Sequence, residues 1–203
     1  MAIVVEHDKR KREILEKALD VFVEEGYEDV TFQKIADRCG ITRTTLYIYF
    51  KNKREIFLWS IKQLTSGLEI VIMKTMNDKS LNAEQCFRKV LQQIVDGLEE
   101  NKKLFSVLLV YLLQLRKSGI DPQERIVRRV LRLRHVMSTV LIRGMKTGEF
   151  KKLNVKDVND MFYGLIEAAI FRLSVLAQDG IDDVRTTLNL AVDGILTKQV
   201  EAE

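Results

Sequence analysis

The sequence has one proline, two histidines and two cysteines in 203 residues, and each scarcity removes a class of explanation. With a single proline and no β-branched alternation, nothing in the chain reads as a strand. His7 and His135 have no nucleophile or metal-ligand neighbour at motif spacing, and neither a phosphate-binding glycine loop nor a G-x-S-x-G turn occurs. No catalytic residue, metal ligand or cofactor is therefore expected. Cys39 and Cys86 lack ligand spacing and read as small buried apolar residues, with a redox switch as the lesser alternative. No run of about 18 uncharged apolar residues is present, and the apolar start at Ile3 to Val5 leads straight into Glu6 and Asp8. That supports neither a membrane span nor a signal peptide, so the expectation is a cytoplasmic protein with no membrane partner.

Apolar residues make up 46% of the chain, enough for a sizeable core. They recur three and four apart almost throughout, which predicts an all-α fold. The first helix is expected from about Asp8 to Glu25, stopped by Gly26. Thr31 caps a short second helix to Cys39, Gly40 turns the chain, and Thr42 caps a third helix ending near Phe50. A longer helix from about Lys53 to Met76 joins this unit to the rest. Further helices are expected over 82–99, 102–117, from Asp121-Pro122-Gln123-Glu124 to Lys146, and over 155–178 and 182–198. At 121–124 the aspartate reads as N-cap, the proline as first helical residue and the glutamate as the closing member of a capping box. Residues 1–52 form a three-helix helix-turn-helix domain, and 53–203 a larger helical domain, about nine helices in all.

Net charge is only +4, so its distribution says more than its sum. Within residues 34–54, Lys34, Arg38, Arg43, Lys51, Lys53 and Arg54 are opposed by Asp37 alone. Lys9 to Arg12 add a second basic cluster, while Asp20, Glu24, Glu25, Glu28 and Asp29 gather the acids. A basic part beside an acidic part suits a surface that docks on phosphates. Two solvated charge runs are the plainer reading.

The stretch "GITRTTLYIYF", residues 40–50, carries the sharpest signal. Stepping about 100° per residue places Leu46 and Phe50 together as an inward anchor, with Arg43 and Tyr49 on the flanks. Thr44, Tyr47, Ile48 and Lys51 fall on the opposite side, with Thr45 at its edge. Burying that side strands hydroxyls and an ammonium, each at a cost on the order of 1 kcal/mol or more, so it faces out. Hydroxyls with one isoleucine suit a DNA major groove, where they meet base edges, phosphates and thymine methyls. Helix, glycine turn, helix at this length is the helix-turn-helix arrangement.

Residues 31–56, "TFQKIADRCGITRTTLYIYFKNKREI", resemble the DNA-binding signature of the tetracycline-repressor (TetR) family. The match includes the threonine, the Ile-Ala pair, the glycine turn, the Leu-Tyr-x-Tyr-Phe run and the lysine opening the next helix. The resemblance is specific over residues 10–60; beyond that, chain length, helix count and the Gly148-Glu149-Phe150 segment are similar to the family. It implies that Thr31, Tyr49 and Lys53 bind phosphates and that Gln33, Arg43, Thr44, Thr45, Tyr47 and Ile48 lie at or near bases. Thr42 and Lys51 complete the candidate DNA-binding set. Arg43 suits guanine and Gln33 adenine, against a surface salt bridge and a solvated position respectively. Lys9 to Arg12 either reach the neighbouring backbone or minor groove, or form a frayed basic tail.

The last two expected helices carry apolar residues on more than one stripe, so one side is expected on the chain's own core and the other on a two-fold mate. Phe162, Leu165, Ile166, Ala169, Leu173, Leu188, Ala191 and Ile195 form the candidate dimer interface, with burial in one larger core as the alternative. A homodimer would set two reading helices about 34 to 36 Å apart on a palindromic operator in double-stranded DNA. Arg125, Arg128, Arg129, Arg132, Arg143 and Lys146 read as a solvated arc. Arg134 projects away from them and is either a snorkelling edge residue or a buried cation awaiting an anionic group. With Trp59, Phe87, Phe105, Leu108, Tyr111, Gln114 and Met137 it forms the candidate pocket for an unidentified small-molecule effector. The function expected is a dimeric transcriptional repressor released by that effector. An effector-independent or partner-controlled DNA-binding protein and a helical interaction module are the alternatives.

Overall fold

The computed structural model describes residues 2–121 and 123–197. Among these residues the chain forms nine helices: α1 (Ala2–Asp29), α2 (Phe32–Cys39), α3 (Arg43–Tyr49), α4 (Lys53–Met76), α5 (Ala83–Glu100), α6 (Lys102–Lys117), α7 (Gln123–Thr147), α8 (Val155–Ser174) and α9 (Asp182–Ile195). The only extended pairing among them is an isolated bridge between Phe150 and Leu196.

Local chemistry sets most of these ends. Thr31, Thr42, Asn52 and Asn82 accept the N–H of the residue three further on, and Gln85 returns the bond to Asn82 N. Gly40, at φ 66 and ψ 35, takes the left-handed turn that lets α2 and α3 meet at an angle. Four expected boundaries move. The first helix begins at Ala2 rather than Asp8, and Gly26 kinks it (φ 80, ψ 160) without ending it, since a further turn continues to Asp29. α8 stops at Ser174 rather than 178, just before Ala177 at φ 52. α9 stops at Ile195 rather than 198, where Leu196 turns extended to pair with Phe150. The side chains of the expected capping box at 122–124, with those of Arg125, Arg128 and Arg129, lie outside the described residues.

Two apolar cores organise the molecule. The first gathers Ile14, Ala18 and Phe22 of α1, Ile35 of α2, Leu46 and Phe50 around α3, and Ile56, Phe57 and Ile61 of α4. It does not end at residue 52. Leu104, Val107, Tyr111 and Leu115 of α6 close it from outside the helix-turn-helix. Each such fully buried side chain is worth roughly 1.5 to 3 kcal/mol of transfer free energy. The second core holds Phe87, Val90 and Ile94 of α5, Met137 and Leu141 of α7, Phe150 from the segment after it, Phe162 and Ile166 of α8, and Leu188 and Val192 of α9. Phe87 meets Phe162 and Phe150 edge-on, at centroid distances of 4.9 and 6.0 Å. A Cβ on Gly144 would overlap the Phe150 ring, so glycine there lets the segment after α7 fold back onto its own helix. Glu149 then accepts Glu84 N at the start of α5, placing an anion at a helix N-terminus.

Candidate functional site

The outward side of α3 stands as the residue pattern requires. Leu46 and Phe50 are buried, whereas Tyr47 is 49% and Ile48 71% exposed. Thr44, Arg43 and Lys51 are exposed with them. Thr42 Oγ1 accepts Thr45 N at 3.1 Å and lies 2.8 Å from Thr45 Oγ1, so these two threonines fix the start of the helix. Arg43 donates to the Tyr47 hydroxyl at 3.1 Å, and the Tyr47 ring leans on Phe32 of α2 with centroids 4.6 Å apart. Phe32, which the sequence pattern does not single out, therefore orients the central tyrosine; its position one residue after the Thr31 cap is the available clue. Gln33 is exposed and donates to Asp37 at 2.7 Å, a bond one turn long that leaves its carbonyl outward. Thr31 Oγ1 accepts Lys34 N at 3.2 Å. Tyr49 is half-buried and stacks on His7 at 4.8 Å.

Three charges are placed differently from expectation. Lys53 donates to the carbonyls of Tyr27, Glu28 and Val30 at 2.9, 2.9 and 3.0 Å. Its three hydrogens are thereby satisfied at the end of α1, so it clamps α4 to α1 and has no free donor for a phosphate. Lys34 pairs with Glu25 and Arg38 with Glu24, which removes both from the basic surface. The bond from Arg38 holds the Glu24 carboxyl below the usual carboxylate range. The unpaired positive charge beside α3 narrows to Arg43 and Lys51 and to the cluster near the start of α1.

The candidate pocket residues do not converge. Phe87 and Met137 are buried in the second core and Phe105 packs on its edge. Tyr111 and Leu108 belong to the first core, where the Tyr111 ring contacts Tyr27 and Phe57 at 4.6 and 5.1 Å. Trp59 lies on the outside of the first core between the ammonium groups of Lys11 and Lys62. Arg134 is an edge residue, paired with Asp160 and 4.4 Å from the Tyr163 ring centroid. The physical reason is that α6 divides its faces between the two cores, a split invisible in its own periodicity. Gln114 lies one turn beyond Tyr111 on α6, and its buried Oε1 has no partner among the described residues. Nearby on the same junction, Arg54 donates to the Tyr111 hydroxyl at 3.1 Å, which ties the start of α4 to α6. Two shallow depressions lie on the helix-turn-helix side, one bordered by Asp37, Gly40, Ile41, Thr42 and Thr45 and the other by Val21, Glu25, Lys34, Asp37 and Arg38.

The candidate dimer residues are mostly inward as well. Phe162, Ile166, Ala169, Leu173, Leu188 and Ile195 are buried within the chain's own core, and only Leu165 and Ala191 are partly open. The exposed apolar stripes are their neighbours: Met161 and Phe171 on α8, Val175 just past its end, and Leu190 on α9. With apolar residues on more than one stripe of both helices, the period alone cannot say which stripe faces inward. One helix, α4, is long and apolar enough by length and composition to cross a membrane. Its Ile56, Phe57, Ile61 and Ile72 are buried in the two cores.

A short helix with a polar outer face, set by a glycine turn against a bracing helix, defines a helix-turn-helix DNA-binding protein. Residues 14–58 match the family described as bacterial regulatory proteins, tetR family, and residues 63–186 match the C-terminal region of YsiA-like proteins. The chain belongs to the tetR family of transcriptional regulators. It is 27% identical over 197 residues to the fatty acid metabolism regulator protein of Bacillus subtilis, covering 94% of this chain and 100% of that one. A TetR transcription regulator from Haloarcula marismortui shares the fold with a TM-score of 0.82 at 20% identity, over 94% and 100% of the two chains. FadR from Bacillus subtilis, solved in complex with stearoyl-CoA, superposes with a TM-score of 0.69 at 23% identity, over 91% and 97%.

Proposed function

We propose that the protein is a homodimeric repressor that reads a palindromic operator through α3 and is released from it by a small-molecule effector. The observation that carries this reading is the outer face of α3, where Thr44, Tyr47 and Ile48 stand exposed over the buried Leu46 and Phe50. The DNA-contacting set is Thr31, Gln33, Thr42, Arg43, Thr44, Thr45, Tyr47, Ile48, Tyr49 and Lys51, with Lys53 as a structural clamp. The mate packs against the exposed stripes of α8 and α9, Met161, Leu165, Phe171, Val175, Leu190 and Ala191, rather than against the inward residues. The working division is a reading head of α1–α3 with the start of α4, and a body of the remaining helices in which α6 faces both. It acts in the cytoplasm and catalyses no reaction.

A long-chain acyl thioester is the first effector class to test, because a relative matched along its whole length is named a fatty acid regulator and a structural neighbour carries stearoyl-CoA. An effector acts by binding the DNA-incompetent arrangement more tightly, lowering operator affinity by that difference. Selection of genomic fragments bound by the protein, followed by anisotropy titration with and without stearoyl-CoA, tests both parts. Sequence-selective binding weakened by the thioester is expected; binding without sequence preference refutes the regulator. The burial of Phe87 and Met137 in the second core and of Tyr111 in the first favours one second reading, a DNA-binding protein that needs no effector. Under it, the selected operator is bound equally with and without every acyl thioester tried.

A further inference from the structure

The family match begins at residue 14, yet α1 is already helical from Ala2. The added turns are pinned to the reading head. The His7 ring stacks on Tyr49, the last residue of α3, at 4.8 Å and an interplanar angle of 24°. One turn on, the Lys11 ammonium lies 5.2 Å from the Phe50 ring centroid and 4.6 Å from that of Trp59. The Lys62 ammonium lies 4.3 Å from the same Trp59 ring. Two like charges therefore share one half-exposed indole, and neither has a carboxylate within ion-pair distance among the described residues. Lys9 and Arg12 are exposed and equally unpaired, whereas Arg10 is satisfied by Glu13 at 3.0 Å and Asp8 lies 3.8 Å from His7. On the helical wheel Lys11 and Arg12 leave α1 on one side of His7 and Glu6 and Glu13 on the other, with Lys9 between Arg12 and Glu13.

Cations gathered without counterions beside a DNA-reading helix call for an anionic partner, and the nearest polyanion is the duplex that α3 reads. We propose that the first turns of α1 form a second DNA-contacting element, in which Lys9, Lys11 and Arg12 hold backbone phosphates flanking each half-site. This rests on the reading of α3 as the operator-binding helix. The contact is independent of base sequence and adds affinity only while the duplex extends far enough beyond the half-sites to present the flanking phosphates.

The test uses the full-length protein and its selected operator, titrated by anisotropy at stepped salt. The variants are Lys9→Gln/Lys11→Gln/Arg12→Gln and a control that removes three distant charges, Lys146→Gln/Lys152→Gln/Lys156→Gln. The slope of log affinity against log salt is expected to flatten in the first by roughly 0.9 for each phosphate no longer neutralised, so by about 5 for the six contacts of a dimer and about 2 for one contact per protomer, and to stay at the wild-type value in the control. Trimming the flanking base pairs should weaken the wild type and leave the triple variant unchanged. Trp59, the only tryptophan, should be shielded from iodide by the long duplex and not by the trimmed one. If the triple variant melts early, Arg12→Gln alone, at an exposed position, carries the same measurement. A wild-type slope in these variants, with undiminished sensitivity to the flanks, overturns the proposal. A wild type that selects no operator removes the underlying reading of α3 instead.

Discussion

α3 and α8 each set an apolar stripe against the protein, yet one was readable from its residues and the other was not. In α3 the side opposite Leu46 and Phe50 carries threonine and tyrosine hydroxyls, and the penalty for burying them leaves one orientation. In α8 both sides are apolar: Phe162 is buried while Phe171 is 52% exposed, and neither carries a polar atom to declare its direction. A helix reports its inward face only when its outward face would suffer from burial. The same contrast separates the two proposed surfaces, a DNA face marked by hydroxyls over a buried anchor and a dimer face whose apolar residues carry no such mark.

Substitution on the two sides of α8 draws the contrast most strongly. Phe162→Ala should cost about 3 to 5 kcal/mol in a denaturant melt, through reduced burial and the cavity left against Phe87. Phe171→Ala should change monomer stability by less than about 0.5 kcal/mol while weakening self-association in sedimentation runs. Equal effects on stability would mean that α8 has no outward face. On α3, Thr44→Ala/Tyr47→Ala should weaken operator binding by about 10- to 100-fold with an unchanged melt, since direct base contacts are worth about 1 to 3 kcal/mol each. Retained affinity would show that these residues do not read DNA.

Lys53→Met tests a residue whose role differs between the two levels of reading. Losing its bonds to three carbonyls should cost about 1 to 3 kcal/mol of stability. The salt dependence of DNA binding should hardly move, whereas a lysine on a phosphate would flatten it.

In the body, burial pushes the Glu99 and Glu149 carboxyls up, but bonds from Arg185 and Ile181 N to the first, and from Glu84 N and Thr147 to the second, outweigh it and leave both below the usual value. A depressed native value means stability fully present above the unfolded glutamate pKa and lost as pH falls through the native one. Acid titration of the melting temperature should therefore show a loss below pH of about 4 that shrinks in Glu99→Gln/Glu149→Gln. In the head, Tyr27 is pushed up to about 12 by burial, with the Tyr111 ring group adding to it. A raised value gives stability that is present below the unfolded tyrosine pKa, about 10, and fades as pH rises toward 12. Alkaline unfolding should begin in the head, and Tyr27→Phe should postpone it. Gly40→Ala isolates backbone strain. No atom lies within 4 Å of the added Cβ, so the strain of φ 66 alone should cost about 1 to 2 kcal/mol.

Most helices were legible because their ends are written locally: Thr31, Thr42 and Asn82 supply the caps, and Gly40 and Gly148 the left-handed turns. The extension of α1 to Ala2 was hidden because Lys9 to Arg12 carry no apolar period to mark a helix. The division of the pocket candidates between the two cores was hidden for a different reason. Tyr111 and Phe105 lie six positions apart on one helix, and nothing in α6 itself says that the first packs with Tyr27 and the second with the body.

The residues by themselves determined the helical class, the caps, the glycine turn and the outward face of α3, because each follows from the cost of an unpaired polar group or a forbidden backbone angle within a few positions. Only the tertiary structure decided which stripe of α8 and α9 is core, that α6 closes the head, and that Lys53 grips three carbonyls. Those outcomes depend on packing between segments far apart in the chain, where many apolar partners are equally acceptable and geometry alone selects one.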